Sequence, residues 1–208
     1  MNAPARTPRT PRTQQQRRDE TRRALLGAAV ESLIELGFAR TTTLEVQRRA
    51  GVSRGALLHH FPSKAALLAA TIEHLAELRG RELKDRAVAL PGSAAARIDA
   101  ALTLLWECFT GSLFDVTMEL RGAARTDPEL RAALAIAERA VRDRILQQSR
   151  VLFGAELAAR PGFERALDLT LHLMIGAGMT AILHGGEARV ETLIDQWKTL
   201  FPTLLGDP

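Results

Sequence analysis

The amino-acid sequence predicts an all-α protein with a small N-terminal three-helix domain and a larger helical bundle. Apolar residues recur at three- and four-residue spacing in every long segment, as on one face of a helix. Proline and glycine are sparse within those segments and cluster between them, and no stretch alternates regularly enough to predict a strand. At 208 residues and 46% apolar composition, the chain is long enough for one sizeable core and a small appended domain.

Positive charge is concentrated near the N-terminus. Residues 1–64 contain twelve Lys and Arg against five Asp and Glu, whereas residues 65–208 contain sixteen against nineteen. This asymmetry is typical of a chain whose N-terminal part faces nucleic acid, although a general arginine bias with a basic tail would give the same counts. The single cysteine, Cys108, rules out an intrachain disulfide and is compatible with the cytoplasm. The longest uncharged apolar run, residues 169–183, is shorter than the ~20 residues that cross a membrane, so no membrane partner is expected.

The first elements are a basic arm and a helix. Residues 1–16 are almost devoid of apolar side chains and are predicted to be disordered, either as an arm that enters a minor groove or as a tail with diffuse electrostatic attraction. A helix is predicted over residues 17–36, ending at Gly37. Its buried stripe is Leu26, Ala29, Val30 and Leu33.

Residues 41–64 are predicted to form two short helices joined by a tight turn. Thr42 is suited to cap the first helix, and Gly51 to end it in the left-handed conformation. Ser53 is suited to cap the second helix, which should run only over residues 54–61. This is the layout of a helix-turn-helix, although an ordinary helical hairpin with charged outer faces would have the same spacing.

Small residues at the front of the second helix favour DNA binding. Gly55 and Ala56 follow Arg54, so the backbone can approach a major groove while the guanidinium reaches base edges or phosphate. We predict base contacts from Arg54, Gly55, Ala56 and His59, and phosphate contacts from Thr43, Ser53, His60 and Lys64, with support from Arg48 or Arg49.

The segment AGVSRGALLHHFPSK, preceded by TTT and by Gly37 and Phe38, resembles the DNA-binding domain of the TetR/AcrR family of bacterial transcriptional regulators. The resemblance covers residues 17–77. It departs from the family at Leu58, where a tyrosine that commonly contacts DNA is usual, and at Gln47, where a small residue is frequent. The resemblance implies that residues 78–208 form a dimerisation and effector-binding body whose ligand changes the spacing of two DNA-binding domains.

Six further helices are predicted in the rest of the chain. They span residues 64–88, 95–113, 114–126, 128–153, 163–184 and 187–204, with breaks at the Pro-Gly pairs 91–92 and 161–162. Asp127 followed by Pro128 is a strong start signal, a cap followed by proline at the first helical position.

The last two predicted helices are suited to pair two copies of the chain. The helix over residues 163–184 is apolar nearly all round, so more than one of its sides must be buried. Two such helices from each chain would make a four-helix dimer interface, the alternative being that both lie in the core of a monomer. The predicted interface residues are Gly176, Gly178, Ile182, Leu193, Ile194 and Trp197.

Large, adaptable apolar side chains on converging helices predict a ligand pocket in the body, with plain core packing as the alternative. The predicted lining is Trp106, Phe109, Phe114, Met118, Arg121 and Met174. No catalytic, cofactor or metal-binding motif is recognised, and His172 and His184 do not have metal-ligand spacing. No enzyme activity, cofactor or metal is therefore expected.

Together, these features predict a cytoplasmic, homodimeric, sequence-specific transcriptional regulator bound to double-stranded DNA. We expect a repressor that is released from a palindromic operator by a small-molecule effector. The alternatives are a constitutive DNA-binding protein without an effector, and a helical enzyme or carrier that keeps the hairpin only as scaffold.

Overall fold

The computed structural model describes residues 13–184 and 188–206. These residues form ten helices and no strand, which confirms the predicted all-α class. The helices are α1 (Gln14–Arg40), α2 (Thr43–Ala50), α3 (Arg54–His60), α4 (Lys64–Ala87), α5 (Ala94–Glu107), α6 (Ser112–Ala124), α7 (Pro128–Phe153), α8 (Ala155–Ala158), α9 (Phe163–His184) and α10 (Ala188–Leu204). The head, α1–α3, lies on a body made of α4–α10.

Most helices begin and end where local signals predict, with four differences. Helix α1 does not end at Gly37 as predicted: Gly37 leaves the helical conformation, but the helix resumes and runs to Arg40. Helix α1 starts at Gln14 because Thr13 and Gln16 form a reciprocal capping box, so the last part of the stretch predicted to be disordered is helical. Helix α5 ends at Glu107, earlier than predicted, and α6 starts after Gly111, whose φ of 81° breaks the chain direction. The short α8 was not predicted. Residues 1–12, most of the predicted arm, lie outside the described residues.

Three apolar clusters hold the molecule together. The head core joins α1–α3 to the start of α4: Leu25, Leu26, Ala28, Ala29, Val46, Leu57, Phe61 and Leu67. The body core is built mainly from α5, α7, α9 and α10, around Phe153, Phe163 and Phe201. A third cluster, which we call the junction core, combines side chains of α1, α4, α6 and α7. Each large apolar side chain buried in this way contributes about 1.5–3 kcal/mol.

The junction core makes the head and the body mechanically continuous. Leu33 of α1, Leu68 of α4 and Leu120 of α6 are all almost fully buried in it. Helix α4 itself runs without a break through the predicted domain boundary at residue 77. A displacement of α6 would therefore be transmitted to α1 and α4, since close-packed cores transmit strain.

Helices α4 and α7 pack against each other over much of their length. Gly80 of α4 permits the closest approach, because a β-carbon there would overlap the side-chain amide of Gln148 on α7. None of the helices in the described part of the chain has the length and apolar content to cross a membrane.

Candidate nucleic-acid interface

The turn between α2 and α3 has the geometry that its residues predict. The Thr42 hydroxyl accepts a hydrogen bond from the Glu45 amide at 3.1 Å, and the Ser53 hydroxyl accepts one from the Ala56 amide at 3.2 Å. Gly51 closes α2 in the left-handed conformation, with φ 66° and ψ 30°. Leu57 anchors α3 in the head core. The orientation of α3 is thus set by two caps, one glycine and its buried inner face.

The outer face of α3 is presented to solvent. Arg54, Gly55, Leu58 and His59 are exposed, whereas Ala56 is half-buried. Leu58 keeps 44% of its surface exposed, although leucine is usually buried. An exposed helix face with one guanidinium, one imidazole, one glycine and one apolar side chain has the donors and the methyl groups that read base edges in a major groove.

Beside α3, Arg48 is the most accessible of the predicted supporting residues. Its guanidinium donates to both carboxylate oxygens of Glu45, at 2.8 and 3.1 Å, while 70% of its side chain stays exposed. Hydrogen bonds from Arg48 and Arg49 lower the pKa of Glu45 to about 2. Arg49, in contrast, is mostly buried between Glu45 and Glu35, at 2.6 and 2.7 Å, and ties α2 to α1. Of the two guanidinium groups, only that of Arg48 is largely exposed to solvent.

Lys64 occupies a different environment from the one that the sequence predicts. Its ammonium donates to the Phe38 carbonyl oxygen at 3.2 Å and lies 4.3 Å from the centroid of the Phe38 ring. Partial burial lowers the pKa of Lys64. In this geometry the side chain fixes the corner between α1 and α4 rather than projecting towards a phosphate.

Two arginines of α1, which the sequence analysis did not select, lie close to the end of α3. The pKa of His60 is lowered by burial first, then by the charges of His59, Arg18 and Arg22. The guanidinium carbon of Arg22 lies 5.4 Å from the centroid of the Phe61 ring. Arg18 and Arg22 are exposed and four residues apart, so they share one face of α1. That spacing is the signal in the sequence that identifies them.

A second polar contact joins the head to the body. Gly37 interrupts α1 with φ 73° and ψ 175°, and the amide of Phe38 then donates to the Glu119 carboxylate on α6 at 2.7 Å. A β-carbon at residue 37 would lie only 2.9 Å from the same carboxylate oxygen. Glycine at this position therefore serves both the backbone turn and the close approach of α6.

The predicted ligand pocket is only partly assembled. Trp106, Phe109 and Phe114 line a cleft of about 430 Å³ between the α5–α6 turn, α9 and the start of α10. Met174 is instead fully buried in the body core, and Met118 does not line the cleft. Arg121 is exposed and pairs with Glu138 of α7 at 2.6 Å, because α6 turns this side chain away from the cleft. We call this space the aromatic cleft.

The residues predicted for a dimer interface separate into an outer and an inner group. Gly176, Ile182 and Leu193 are exposed, and a groove of about 1000 Å³ between α9 and α10 includes Gly176 and Leu193. In contrast to the prediction, Gly178 faces the inside of the protomer. A β-carbon there would lie 2.8 Å from the Phe114 ring and still closer to the Phe109 carbonyl oxygen.

Two more of these residues belong to the interior. Ile194 is buried in the body core. The Trp197 indole packs edge-on against Phe201 and donates to the Thr170 hydroxyl at 3.0 Å. Helix α10 therefore turns these two side chains towards its own protomer and Leu193 towards solvent.

The described residues contain no group of three or more His, Cys, Asp and Glu side chains arranged to hold a metal ion. Burial raises the pKa of the Cys108 thiol to about 11, which keeps it protonated and poorly nucleophilic near neutral pH.

A capped helix-turn-helix with an outward-facing second helix, carried on a helical body, defines a DNA-binding regulator. Comparisons with known proteins identify the family to which this regulator belongs. The sequence profile of the bacterial regulatory proteins of the tetR family matches residues 25–71, from the middle of α1 into α4. An HTH-type transcriptional regulator of Mycobacterium tuberculosis is 35% identical over 168 residues, 81% of this chain and 86% of the relative. The chain belongs to the TetR family of bacterial transcriptional regulators.

Other relatives and solved structures agree with this assignment. The HTH-type transcriptional regulator CymR of Pseudomonas putida is 37% identical over 126 residues, 59% of this chain and 60% of CymR. A TetR transcription regulator from Haloarcula marismortui has the same fold, with a TM-score of 0.65 and 19% identity over 90% of this chain and 100% of that chain. The relatives are named as transcriptional regulators and not as enzymes, and the predicted DNA-binding regulator is confirmed.

Proposed function

We propose that two copies of this protein bind a palindromic operator in the bacterial cytoplasm, repress transcription there, and leave the operator when a small effector enters the body. One observation carries the DNA-binding part of this proposal. The inner face of α3 is held in the head core, while Arg54 and His59 on its outer face are exposed to solvent. A rigidly held helix with an exposed face is what a major-groove reader requires.

On the DNA, the α3 side chains have separate tasks. Arg54 and His59 donate to base edges, and Gly55 permits the close approach of the backbone. Leu58 takes the place of the tyrosine usual in the family and contacts a thymine methyl group, the apolar feature of the major groove. Phosphates are held by Ser53, Arg48, Thr43 and His60, and we add Arg18 and Arg22 of α1. Lys64 is left out because its ammonium is engaged with Phe38.

The dimer forms through the outer faces of α9 and α10. Exposed apolar side chains concentrate on these two helices: Leu169, Met179, Ile182, Leu193 and Leu200. The exposed Gly176 lies in the groove between them and lets a partner helix approach closely. Symmetric pairing of this face would set the two α3 helices at a half-site spacing of one helical turn of DNA, ~34–36 Å, or a multiple of it.

Effector binding is proposed for the aromatic cleft. Helix α6 begins at this cleft with Phe114 and carries Glu119 to the head, so one helix connects the two sites. Solved structures of this fold support the idea that the body holds ligands. The multidrug binding protein EbrR was solved with ethidium, with a TM-score of 0.60 and 17% identity over 90% of this chain and 99% of that chain. FadR from Bacillus subtilis was solved with stearoyl-CoA, with a TM-score of 0.59 and 17% identity over 86% of this chain and 96% of that chain. Coupling between such sites is typically ~1–3 kcal/mol.

The decisive experiment selects operator DNA with the full-length protein. Genomic fragments bound by the purified chain are sequenced, and affinities for the recovered site are measured by fluorescence anisotropy. Arg54→Ala should cost about 1–3 kcal/mol at one base position if Arg54 reads a base. The control is Arg131→Ala, which removes an exposed arginine from α7 in the body. An equal loss on all DNA sequences would make Arg54 a phosphate contact, and fragments without a shared motif would contradict sequence-specific regulation.

A further inference from the structure

The aromatic cleft has walls that favour one class of effector. Its apolar lining combines the aromatic Trp106, Phe109 and Phe114 with the aliphatic Ala181, Ile182 and Val190. The rings of Phe109 and Phe114 meet edge to face, with centroids 6.0 Å apart and planes at 64°. A β-carbon at Gly178 would overlap the Phe114 ring and the Phe109 carbonyl oxygen, so the lack of a side chain there lets the α5–α6 turn and Phe114 pack against α9. At about 430 Å³ the cleft is within the size range of small-molecule sites.

The charges around the aromatic cleft have one sign. Asp115 of α6 and Glu191 of α10 line it, both are exposed, and neither makes an ion pair within the described chain. The described lining contains no lysine, arginine or histidine. Arg189 of α10 lines the groove between α9 and α10 and is not among the residues that line the cleft. On α5, Glu107 is occupied by an ion pair with Arg86.

From this combination we infer that the aromatic cleft binds a small organic cation with an apolar or aromatic body. The inference deepens the proposed function and rests on the body being an effector site. An aromatic face attracts a cation through its quadrupole, and Trp is the strongest of the three ring types. The two carboxylates, one on α6 and one on α10, add Coulombic attraction. An anionic ligand of the same shape would meet two like charges and no cationic partner among the described lining residues.

The two carboxylates distinguish this cleft from a purely apolar pocket. A purely apolar site would accept a neutral or an anionic ligand as readily as a cation. Here the aromatic and aliphatic lining supplies contact area, whereas Asp115 and Glu191 supply the sign of the charge. Their positions on two different helices also mean that a bound cation would bridge the start of α6 to the start of α10. Since α6 carries Glu119 to the head, the ligand would act on the helix that touches Phe38.

A pair of probes with equal shape and opposite charge tests this directly. Tetraphenylphosphonium and tetraphenylborate are titrated into the full-length, DNA-free protein by isothermal titration calorimetry. The cation should bind with an affinity at least tenfold higher than the anion. The double variant D115N/E191Q should weaken the cation by about 25-fold, since each exposed carboxylate near 4 Å is worth about fivefold in water. The matched control, D143N/E156Q, removes two exposed carboxylates of α7 and α8 and should bind as the original protein does.

The outcomes distinguish the inference from the proposed function. Equal binding of both probes, or cation binding unchanged in D115N/E191Q, would overturn the cationic assignment, and so would an equal loss in D115N/E191Q and in the control. Thermal unfolding of each variant shows whether α6 remains folded, because Asp115 lies in its first turn. Operator binding is measured separately on the same samples. A protein that binds its operator but neither probe would refute the inference and leave DNA binding intact, whereas loss of operator binding in the original protein would refute the proposed function itself.

Discussion

Replacing Glu119 with alanine removes a hydrogen bond that joins the body to the head. The Glu119 carboxylate accepts from the Phe38 amide at 2.7 Å, across 81 residues of sequence. Gly37 leaves the helical conformation immediately before this amide, so the N–H has lost the regular acceptor one turn earlier in the helix. Without Glu119, the amide opens to water and the last turn of α1 is no longer tied to α6.

The free energy lost with this hydrogen bond depends on the charge of its acceptor and on its exposure to solvent. A hydrogen bond to a charged acceptor contributes about 1.5–3 kcal/mol, and solvent around Glu119 places this one at the lower end. A loss of about 1.4 kcal/mol in local opening free energy corresponds to a tenfold faster exchange of the Phe38 amide hydrogen. The junction core still holds α1 against α6 through Leu33 and Leu120, so the head should stay folded.

Amide hydrogen exchange by NMR measures this contact directly. We expect the Phe38 amide to exchange about tenfold faster in Glu119→Ala, with Glu119→Gln in between because its neutral oxygen is a weaker acceptor. The control is Glu138→Ala, which breaks the exposed pair of Arg121 with α7 but does not touch the head. An unchanged exchange rate at Phe38 in Glu119→Ala would refute the reasoning. A tenfold change there with no change in effector response would show that the contact is structural only.

Other substitutions test the remaining contacts. Leu58→Ala should weaken operator binding about fivefold. On DNA in which the contacted thymine is replaced by uracil, the original protein and Leu58→Ala should bind equally, since the methyl group is absent. A fivefold difference that persists on uracil DNA would exclude the methyl contact. Gly178→Val should destabilise the fold by about 1–3 kcal/mol through overpacking, measured as a lower unfolding temperature. Gly176→Leu should instead shift the monomer–dimer equilibrium towards monomer in sedimentation. The reverse pattern would exchange the roles of the two glycines. The pKa of Glu45, about 2, should rise in Arg48→Ala, as read by NMR titration. Because the folded-state pKa is below the ordinary value of 4.5, the stability from this carboxylate is fully present above pH 4.5 and is lost as the pH falls towards 2. No rise in Arg48→Ala would mean that Arg49 alone holds the carboxylate.

The head could be predicted well because its signals are local. Thr42, Gly51 and Ser53 each act on backbone groups within three residues, so their effect does not depend on the rest of the fold. The same holds for Asp127, whose carboxylate accepts from the Leu130 amide at 2.9 Å and starts α7 at the predicted residue. The exposed face of α3 follows as well, because Leu57 is the residue that the period of the helix directs inward.

The body could be predicted less well because its contacts are between distant residues. Arg121 pairs with a residue of the next helix, and Gly178 packs on the α5–α6 turn more than sixty residues earlier. Lys64 meets Phe38 only because Gly37 turns the chain towards α4. Each of these residues is compatible with several environments, and the residue that packs against it in the fold determines which one it occupies.

By itself, the sequence determined the all-α class, the places where most helices begin, the helix-turn-helix and the family. The tertiary structure decided which side of α9 packs inside the chain and which side is exposed, how the head is tied to α6, and which aromatic side chains share a cleft with Asp115 and Glu191. The physical reason is that caps and glycines act over a few residues, whereas a helix that is apolar nearly all round has no preferred face until its neighbours are packed against it.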